Sequence, residues 1–225
     1  MALNVIHEDN HTLVVSKNGG DIVQGDKTGD RTLIDDVKAY IKEKYNKPGE
    51  VFCGLVHRLD RPTSGAVLFA RTSKALSRLS VQFKERTVAK TYWAIVEKMP
   101  AQKEATLVHF LKKNEKQNKS YAHKNEVNGS KRAELSYKHI ASSDKYHLLE
   151  VSLKTGRHHQ IRVQLATIGC IIKGDLKYGA KRSNKDGSIS LHARNLAYNH
   201  PTTKERIDLT APCPKDPLWQ FFEGA

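Results

Sequence analysis

Apolar and polar positions alternate at the start of the chain as they do in a β-hairpin. Asn4-Val5-Ile6-His7-Glu8 is followed by the polar turn Asp9-Asn10-His11 and then by Thr12-Leu13-Val14-Val15. Residues 16–31 are rich in Gly, Asp and Lys and read as a loop. The spacing of Leu33, Val37, Tyr40 and Ile41 predicts a helix, with Thr32 able to cap it and Asp35 three residues on. Asn46-Lys47-Pro48-Gly49 stops that helix. Gly65–Ala70 is an apolar run of strand length, and after it Ser73 can cap a helix with Leu76, Leu79 and Phe83 on one face. Tyr92–Val96 reads as a further strand. Ala133–Ile140 and Tyr146–Leu153 read as a strand pair joined by Ser142-Ser143-Asp144-Lys145. A third helix is expected from near His158 to Gly169, burying Ile161, Leu165 and Ile168. Strand-like pieces continue through Leu191–Tyr198 and Arg206–Leu209. Hairpins mixed with single helices, without a βαβα rhythm, favour α+β over a doubly wound fold.

Composition narrows the class. With 225 residues, 38% hydrophobic and 28% charged, the chain suits one well-cored globular domain and is short for two. No repeat or linker divides it, so residues 1–225 are expected to form a single domain. No apolar run approaches the roughly 18–20 residues of a membrane helix. The opening Met1–Glu8 lacks the basic and apolar regions of a secretory signal. Cys53, Cys170 and Cys213 are dispersed and odd in number, which suits reduced thiols in a cytoplasmic protein rather than a disulfide framework or a zinc site.

Charge changes the picture more. Lys and Arg number 38 against 24 Asp and Glu, a formal +14, and nucleic acid is the leading candidate partner ahead of an anionic membrane. The excess is densest in Lys112–Arg132, where seven basic residues face only Glu115 and Glu126. That segment reads either as a solvated, mobile loop or as an arm that grips phosphates. A second basic run comprises Arg71, Lys74, Arg78, Lys84 and Arg86.

Three segments carry candidate chemistry. His57-Arg58-Leu59-Asp60-Arg61-Pro62-Thr63-Ser64-Gly65 sets a carboxylate among groups able to restrain it, at the mouth of a predicted strand. An Asp near Pro is more often only a turn residue. Lys90-Thr91-Tyr92-Trp93 places a tyrosine at a strand start, where core packing is its usual use and stacking on an unpaired base the alternative. Thr155-Gly156-Arg157-His158-His159-Gln160-Ile161-Arg162 gathers two arginines and two histidines at a helix start, able to bind phosphate or pair with a buried carboxylate. Adjacent histidines project about 100° apart on a helix, which argues against a metal. No phosphate cradle of the nucleotide-hydrolase or dinucleotide type is present.

In sequence order, H-R-L-D-x-x-T-S-G, K-x-Y, T-G-R-x-H-Q-I-R and G-D-x-x-Y-G (the last at Gly174–Gly179) resemble the RluA-type pseudouridine synthases from about Val51 to Leu209. The resemblance implies a single catalytic domain with a mixed, mostly antiparallel sheet, flanking helices and an active-site cleft across the sheet. It implies that Asp60 is the catalytic carboxylate, that Tyr92 stacks on the target base, and that Arg162 pairs with Asp60. His57, Arg58, Arg61, Thr63, Arg157, His159 and Gln160 become candidate substrate-binding residues. The implied partner is ribosomal or transfer RNA, bound by a monomer. Isomerisation oxidises nothing and adds nothing, so no cofactor and no metal is expected.

The chain departs from the family in three places: Ser16-Lys17-Asn18-Gly19-Gly20 stands for N-K-P-x-G, Gln164 for a histidine and Ile171 for a proline. The family's N-terminal RNA-binding module has no room ahead of Val5, so the grip on RNA is expected from the catalytic domain. Two rivals remain: an RNA-binding protein that kept the fold without the chemistry, and a hydrolase using Asp60. The second lacks a partner acid in the recognisable motifs.

Overall fold

The computed structural model describes residues 3–25 and 29–225; residues 26–28, inside the predicted 16–31 loop, and Met1 and Ala2 of the opening segment lie outside the described residues. The chain packs as two compact units, residues 1–89 with 193–212 and residues 90–192 with 213–225. The first unit holds β1 (Val5–Glu8), β2 (Thr12–Lys17), α1 (Leu33–Lys44), β3 (Gly54–Leu55), β4 (Ser64–Ala70) and α2 (Ser73–Glu85). The second holds β5 (Ala89–Val96), β6 (Glu104–Asn114), β7 (Lys119–His123), β8 (Lys131–Ser142), β9 (His147–Leu153) and α3 (Gln160–Thr167). β10 (Leu191–Asn199) and β11 (Arg206–Thr210) return to the first unit, and α4 (Pro217–Glu223) closes the second. The class is α+β, as the sequence pattern predicts, and the strand pairing is mostly antiparallel, as the family resemblance implies.

In the first unit the strand order is β1-β2-β4-β10, with β3 beside β4 and β11 beside β10. The predicted hairpin forms with Val5 opposite Val15 and Glu8 opposite Leu13. β4 is buried along its whole length, which explains a continuous apolar run in place of alternation. Its Ala66, Leu68 and Ala70 pack with Leu79, Leu196 and Tyr198. α1 begins with the expected capping box, the Thr32 hydroxyl accepting from the Asp35 N–H while the Asp35 carboxylate accepts from the Thr32 N–H. α2 is capped by Thr72 rather than Ser73, because the Thr72 hydroxyl is the one that reaches the Ala75 N–H at 3.1 Å.

In the second unit the order is β5-β9-β8-β6-β7, and each of these neighbours is antiparallel. The segment Lys112–Arg132 is no loose loop: it forms the end of β6, all of β7 and the start of β8. Its charge hid an alternation in which Leu111, Ser120 and Ala133 point inward. α3 is shorter than expected, spanning Gln160–Thr167 because His159 adopts a left-handed conformation at φ 53°. Ile168 ends that helix and is 36% exposed, so it is not the core residue its spacing suggests. α4 was not foreseen, although Asp216 ahead of Pro217 is a helix-start signal; the Asp216 carboxylate accepts from the Leu218 N–H at 2.9 Å. Trp219 and Phe222 of α4 pack on Ile95 and Leu148. None of the helices is long and apolar enough to cross a membrane among the described residues.

Gly65 fixes how β4 lies against β10. Its φ is +115°, and a Cβ there would come within 2.5 Å of the Ala193 backbone nitrogen. Gly65→Ala therefore combines a strained backbone with a main-chain clash, and should lower stability by about 3 kcal/mol or more in urea unfolding. A variant within about 1 kcal/mol of wild type would show that the two strands can separate without cost.

Candidate active site

Asp60 sits in the loop between β3 and β4, and the loop is held from several sides. Lys17, at the end of β2, is 1% exposed. Its Nζ donates to the carbonyl oxygens of Asn18 at 2.8 Å, Arg61 at 2.9 Å and Thr63 at 2.6 Å. Those bonds use all three ammonium protons. The Gly20 N–H donates to the Arg61 carbonyl at 2.8 Å, and the Arg61 Nε donates back to the Gly20 carbonyl at 3.1 Å. Within the loop the Thr63 N–H donates to the Asp60 carbonyl at 3.0 Å, closing a turn around Arg61 and Pro62. Leu59 is buried beneath it.

His57 anchors the entry to the loop. Its Nε2 accepts the Leu68 N–H at 3.1 Å, and its ring stacks on Phe83 with centroids 4.9 Å apart. Arg58 is exposed, Asp60 is partly exposed, and Thr63 is 2% exposed. The Thr63 hydroxyl has no hydrogen-bond partner among the described residues. A buried orphan hydroxyl costs about 1–3 kcal/mol, which makes it a candidate to meet a substrate group.

Burial pushes the Lys17 amine down from 10.5 to about 8, with Asp21 and Asp60 opposing that shift. The folded protein then holds fewer protons than the unfolded chain between pH 8 and 10.5, so this group favours folding increasingly as pH rises through that window. Lys17 lies in Ser16-Lys17-Asn18-Gly19-Gly20, one of the three places where the chain departs from the family pattern. A lysine ending a buried strand and followed by two glycines was the available signal.

In the second unit, Tyr92 lies in β5 opposite Val151 and is 8% exposed. Arg162 projects from α3 into a bidentate pair with Asp175, Nε to Oδ2 at 2.7 Å and Nη2 to Oδ1 at 2.8 Å. The two side chains are 5% and 1% exposed. The guanidinium carbon lies 5.2 Å from the Tyr178 ring centroid. Asp175 was missed as a site residue, although Gly174-Asp175 opens the fourth motif and follows the Arg162 helix directly. Of the two options open to the helix-start cations, pairing with a buried carboxylate is the one Arg162 adopts.

The other helix-start residues brace the unit. Gln160 is 3% exposed; its Oε1 accepts from the Thr155 hydroxyl at 2.8 Å and the Arg157 N–H at 2.9 Å, and its Nε2 donates to the Glu134 carbonyl at 3.0 Å. His159 is buried against Tyr178, 3.0 Å from its hydroxyl, and its ring stacks on His158 at 3.8 Å. Burial and the nearby Arg162 charge push the His159 imidazole down to about 2, so it stays neutral. Arg157 is partly exposed, its Nε donating to the Arg132 carbonyl at 3.1 Å. Among the described residues no group of His, Cys, Asp and Glu is arranged to hold a metal. The second basic run is partly structural. Arg71 is only 9% exposed, pairs with Glu8 at 3.1 Å and lies 4.5 Å over the Tyr45 ring.

The first unit thus presents a carboxylate on a rigidly braced loop, and the second presents a buried strand tyrosine and a buried arginine held by a carboxylate. Comparison with known proteins supplies the class. The sequence pattern of the family described as RNA pseudouridylate synthase matches residues 11–167, well over half of the chain. An RNA pseudouridine synthase of Bacillus subtilis is 32% identical over 219 residues, covering 96% of this chain and 71% of the relative. Ribosomal large subunit pseudouridine synthase D of Zymomonas mobilis is 31% identical, covering 95% and 70%. Ribosomal large subunit pseudouridine synthase C of Vibrio vulnificus is 34% identical, covering 92% of this chain and 65% of that one. The solved structure of human RNA pseudouridylate synthase domain containing 4 shares the fold, with a TM-score of 0.80 at 23% identity over 94% of this chain and 89% of its own. This chain belongs to the RNA pseudouridine synthase family, whose members are RNA uridine isomerases.

Two substitutions test the bracing. Lys17→Met keeps the length of the side chain and leaves three carbonyls without their donor, so stability should fall by about 1–3 kcal/mol at pH 7. The deficit should widen between pH 8 and 10, where wild type gains from its depressed amine and the variant does not. A gap that stays constant or narrows would assign the brace to other bonds. Asp175→Ala removes both bonds of the bidentate pair from the buried Arg162 cation, and should cost about 3–5 kcal/mol in denaturant titration. A loss below about 1 kcal/mol would mean that water enters and replaces the carboxylate.

Proposed function

We propose that this chain isomerises specific uridines of ribosomal or transfer RNA to pseudouridine, with Asp60 as the essential carboxylate. The observation that carries the reading is the bracing of the Asp60 loop by Lys17, within the stretch of residues 11–167 that matches the family. The reaction breaks the N1–C1′ bond, turns the detached uracil in place and joins its carbon 5 to C1′. Carbon 5 gives up a proton and N1 gains one, so the product is an isomer and no electrons are exchanged. Asp60 supplies the charged oxygen that the reacting nucleoside needs, and a preorganised loop lets it act without first reorganising.

Tyr92 stacks on the base, and Arg162, held by Asp175, supplies a cation to the reaction. His57, Arg58, Arg61, Thr63, Arg157, His159 and Gln160 serve the substrate side, the buried ones by holding the exposed ones in place. The orphan Thr63 hydroxyl meets a polar group of the nucleotide. Extruding the uridine from its stack costs roughly a few kcal/mol, least in loops, so an unpaired target is favoured. The whole chain works as one catalytic domain, as a monomer in the cytoplasm, without a cofactor. The relatives that bear ribosomal large subunit names support a ribosomal substrate.

The test is Asp60→Asn, which preserves size and polarity and removes the charge. Conversion of uridine in total RNA should fall to background while RNA affinity stays within a few-fold, because phosphate and stacking contacts carry most binding. Arg162→Ala should also lose turnover, and the double variant should be no worse than either single one. A folded Asp60→Asn protein that makes pseudouridine at the wild-type rate would overturn the assignment. A wild-type protein that binds RNA yet modifies none from its own cell would favour a binding module.

A further inference from the structure

The basic segment has an organised outer face. In the antiparallel register Phe110 stands opposite His123 on one side and opposite Arg132 on the other. One step along, Lys112 stands opposite Tyr121, and beyond it Asn114 opposite Lys119. Directly opposed residues share a face, and so do residues two apart on a strand. Phe110, Tyr121 and His123 therefore lie on one surface of β6, β7 and β8, interleaved with Lys112, Lys119 and Arg132.

The other surface of the same strands is occupied. Leu111 and Ala133 pack with Val163 and Tyr178, and the Ser120 hydroxyl bonds His158. Tyr121 by contrast is 42% exposed, as is Val108 further down the same face. The one carboxylate in these rows, Glu134, is neutralised by Arg132 at 2.6 Å and Lys154 at 2.9 Å. The hairpin tip is fixed too: the Tyr121 hydroxyl donates to Gln117 Oε1 at 2.5 Å, and Lys177 Nζ donates to the carbonyls of Gln117 and Asn118 at 3.3 and 3.2 Å.

An exposed aromatic ring beside an imidazole and a phenyl ring, with cations in the adjoining rows, has the chemistry of a stacking platform for unpaired bases. Lys119 Nζ, on the outermost strand, lies 5.7 Å from the Tyr121 centroid and 5.1 Å from that of Tyr178, within reach of a phosphate of a nucleotide stacked on Tyr121. We infer that the outer face of β6, β7 and β8 binds an unpaired stretch of the substrate RNA, with bases stacked on Tyr121 and its neighbours and the backbone held by Lys112, Lys119 and Arg132. Charge complementarity selects the occupant: Lys112–Arg132 carries seven basic residues against two acidic ones. The proposal rests on RNA being the substrate, and adds a recognition surface that the Asp60 chemistry does not require. It also gives part of this segment's charge a geometry: Lys112, Lys119 and Arg132, three of its seven cations, frame the rings.

The experiment measures binding of a labelled oligouridylate of about 12 nucleotides, and of a duplex RNA of similar length, to the full-length protein. Tyr121→Ala and Tyr121→Leu should each weaken the single strand roughly tenfold and the duplex less than about twofold, since only unpaired bases offer a free face. Tyr121→Phe keeps the ring and loses only the Gln117 bond, so it should bind as wild type. Lys112→Ala and Lys119→Ala should each reduce the salt slope by about 0.7, which the tyrosine variants should leave unchanged. Folded Tyr121→Leu protein with wild-type affinity, or an equal loss on single strand and duplex, would overturn the proposal. These readouts need no turnover. Absence of conversion by a protein that behaves as expected here would sink the synthase assignment alone, and normal conversion with unaltered Tyr121 variants would sink the platform alone.

Discussion

An ammonium group with almost no contact with water, and three carbonyl oxygens around it, sets the shape of the loop that carries Asp60. Burying that charge is costly, and the cost shows in the lowered proton affinity of Lys17. What offsets it is geometry. The three carbonyls belong to two chain segments distant in sequence, so one side chain ties the end of β2 to both sides of the turn after Asp60. The carboxylate that we propose acts on a nucleoside benefits from such a mount. Gly65 adds a second constraint from the far end of the loop, because only a residue without a Cβ lets β4 pass the Ala193 backbone.

The second unit uses the same principle with opposite charges. Arg162 and Asp175 are both nearly dry, and the fork of the guanidinium matches the two carboxylate oxygens. Around them Tyr178, His159, Ser120 and Gln160 form a network of bonds that joins α3 to β7 and to the turn before it. Such a network is rigid when complete, and here the helix start is spent on making it complete. This explains why residues that look like phosphate ligands in sequence, His159 and Gln160, are turned inward.

Much was legible from the sequence. The hairpin, the capping box at Thr32, the buried strand β4 and the β8–β9 pair follow from local periodicity, which acts over a few residues and survives in any tertiary context. The four motifs and their order pointed to the family, which the matches to relatives then showed. The loop reading of Lys112–Arg132 does not hold, because the segment contributes to three strands. Its lysines fall on both faces of the strands and in the turns between them, and their number masked the few inward residues, Ser120 among them, that seat it in the sheet.

By itself, then, the sequence determined the class of fold, the family, and Asp60, Tyr92 and Arg162 as the residues to examine. Only the tertiary structure decided that Lys17 holds the Asp60 loop, that Asp175 is a partner of Arg162, and that Phe110, Tyr121 and His123 share one face. Each of those facts joins residues from different segments: 46 positions separate Lys17 from Thr63, and 13 separate Arg162 from Asp175. Periodicity reports which side of an element is buried. It carries no record of which distant carbonyl or carboxylate will be waiting there, because that partner is chosen by how the chain packs.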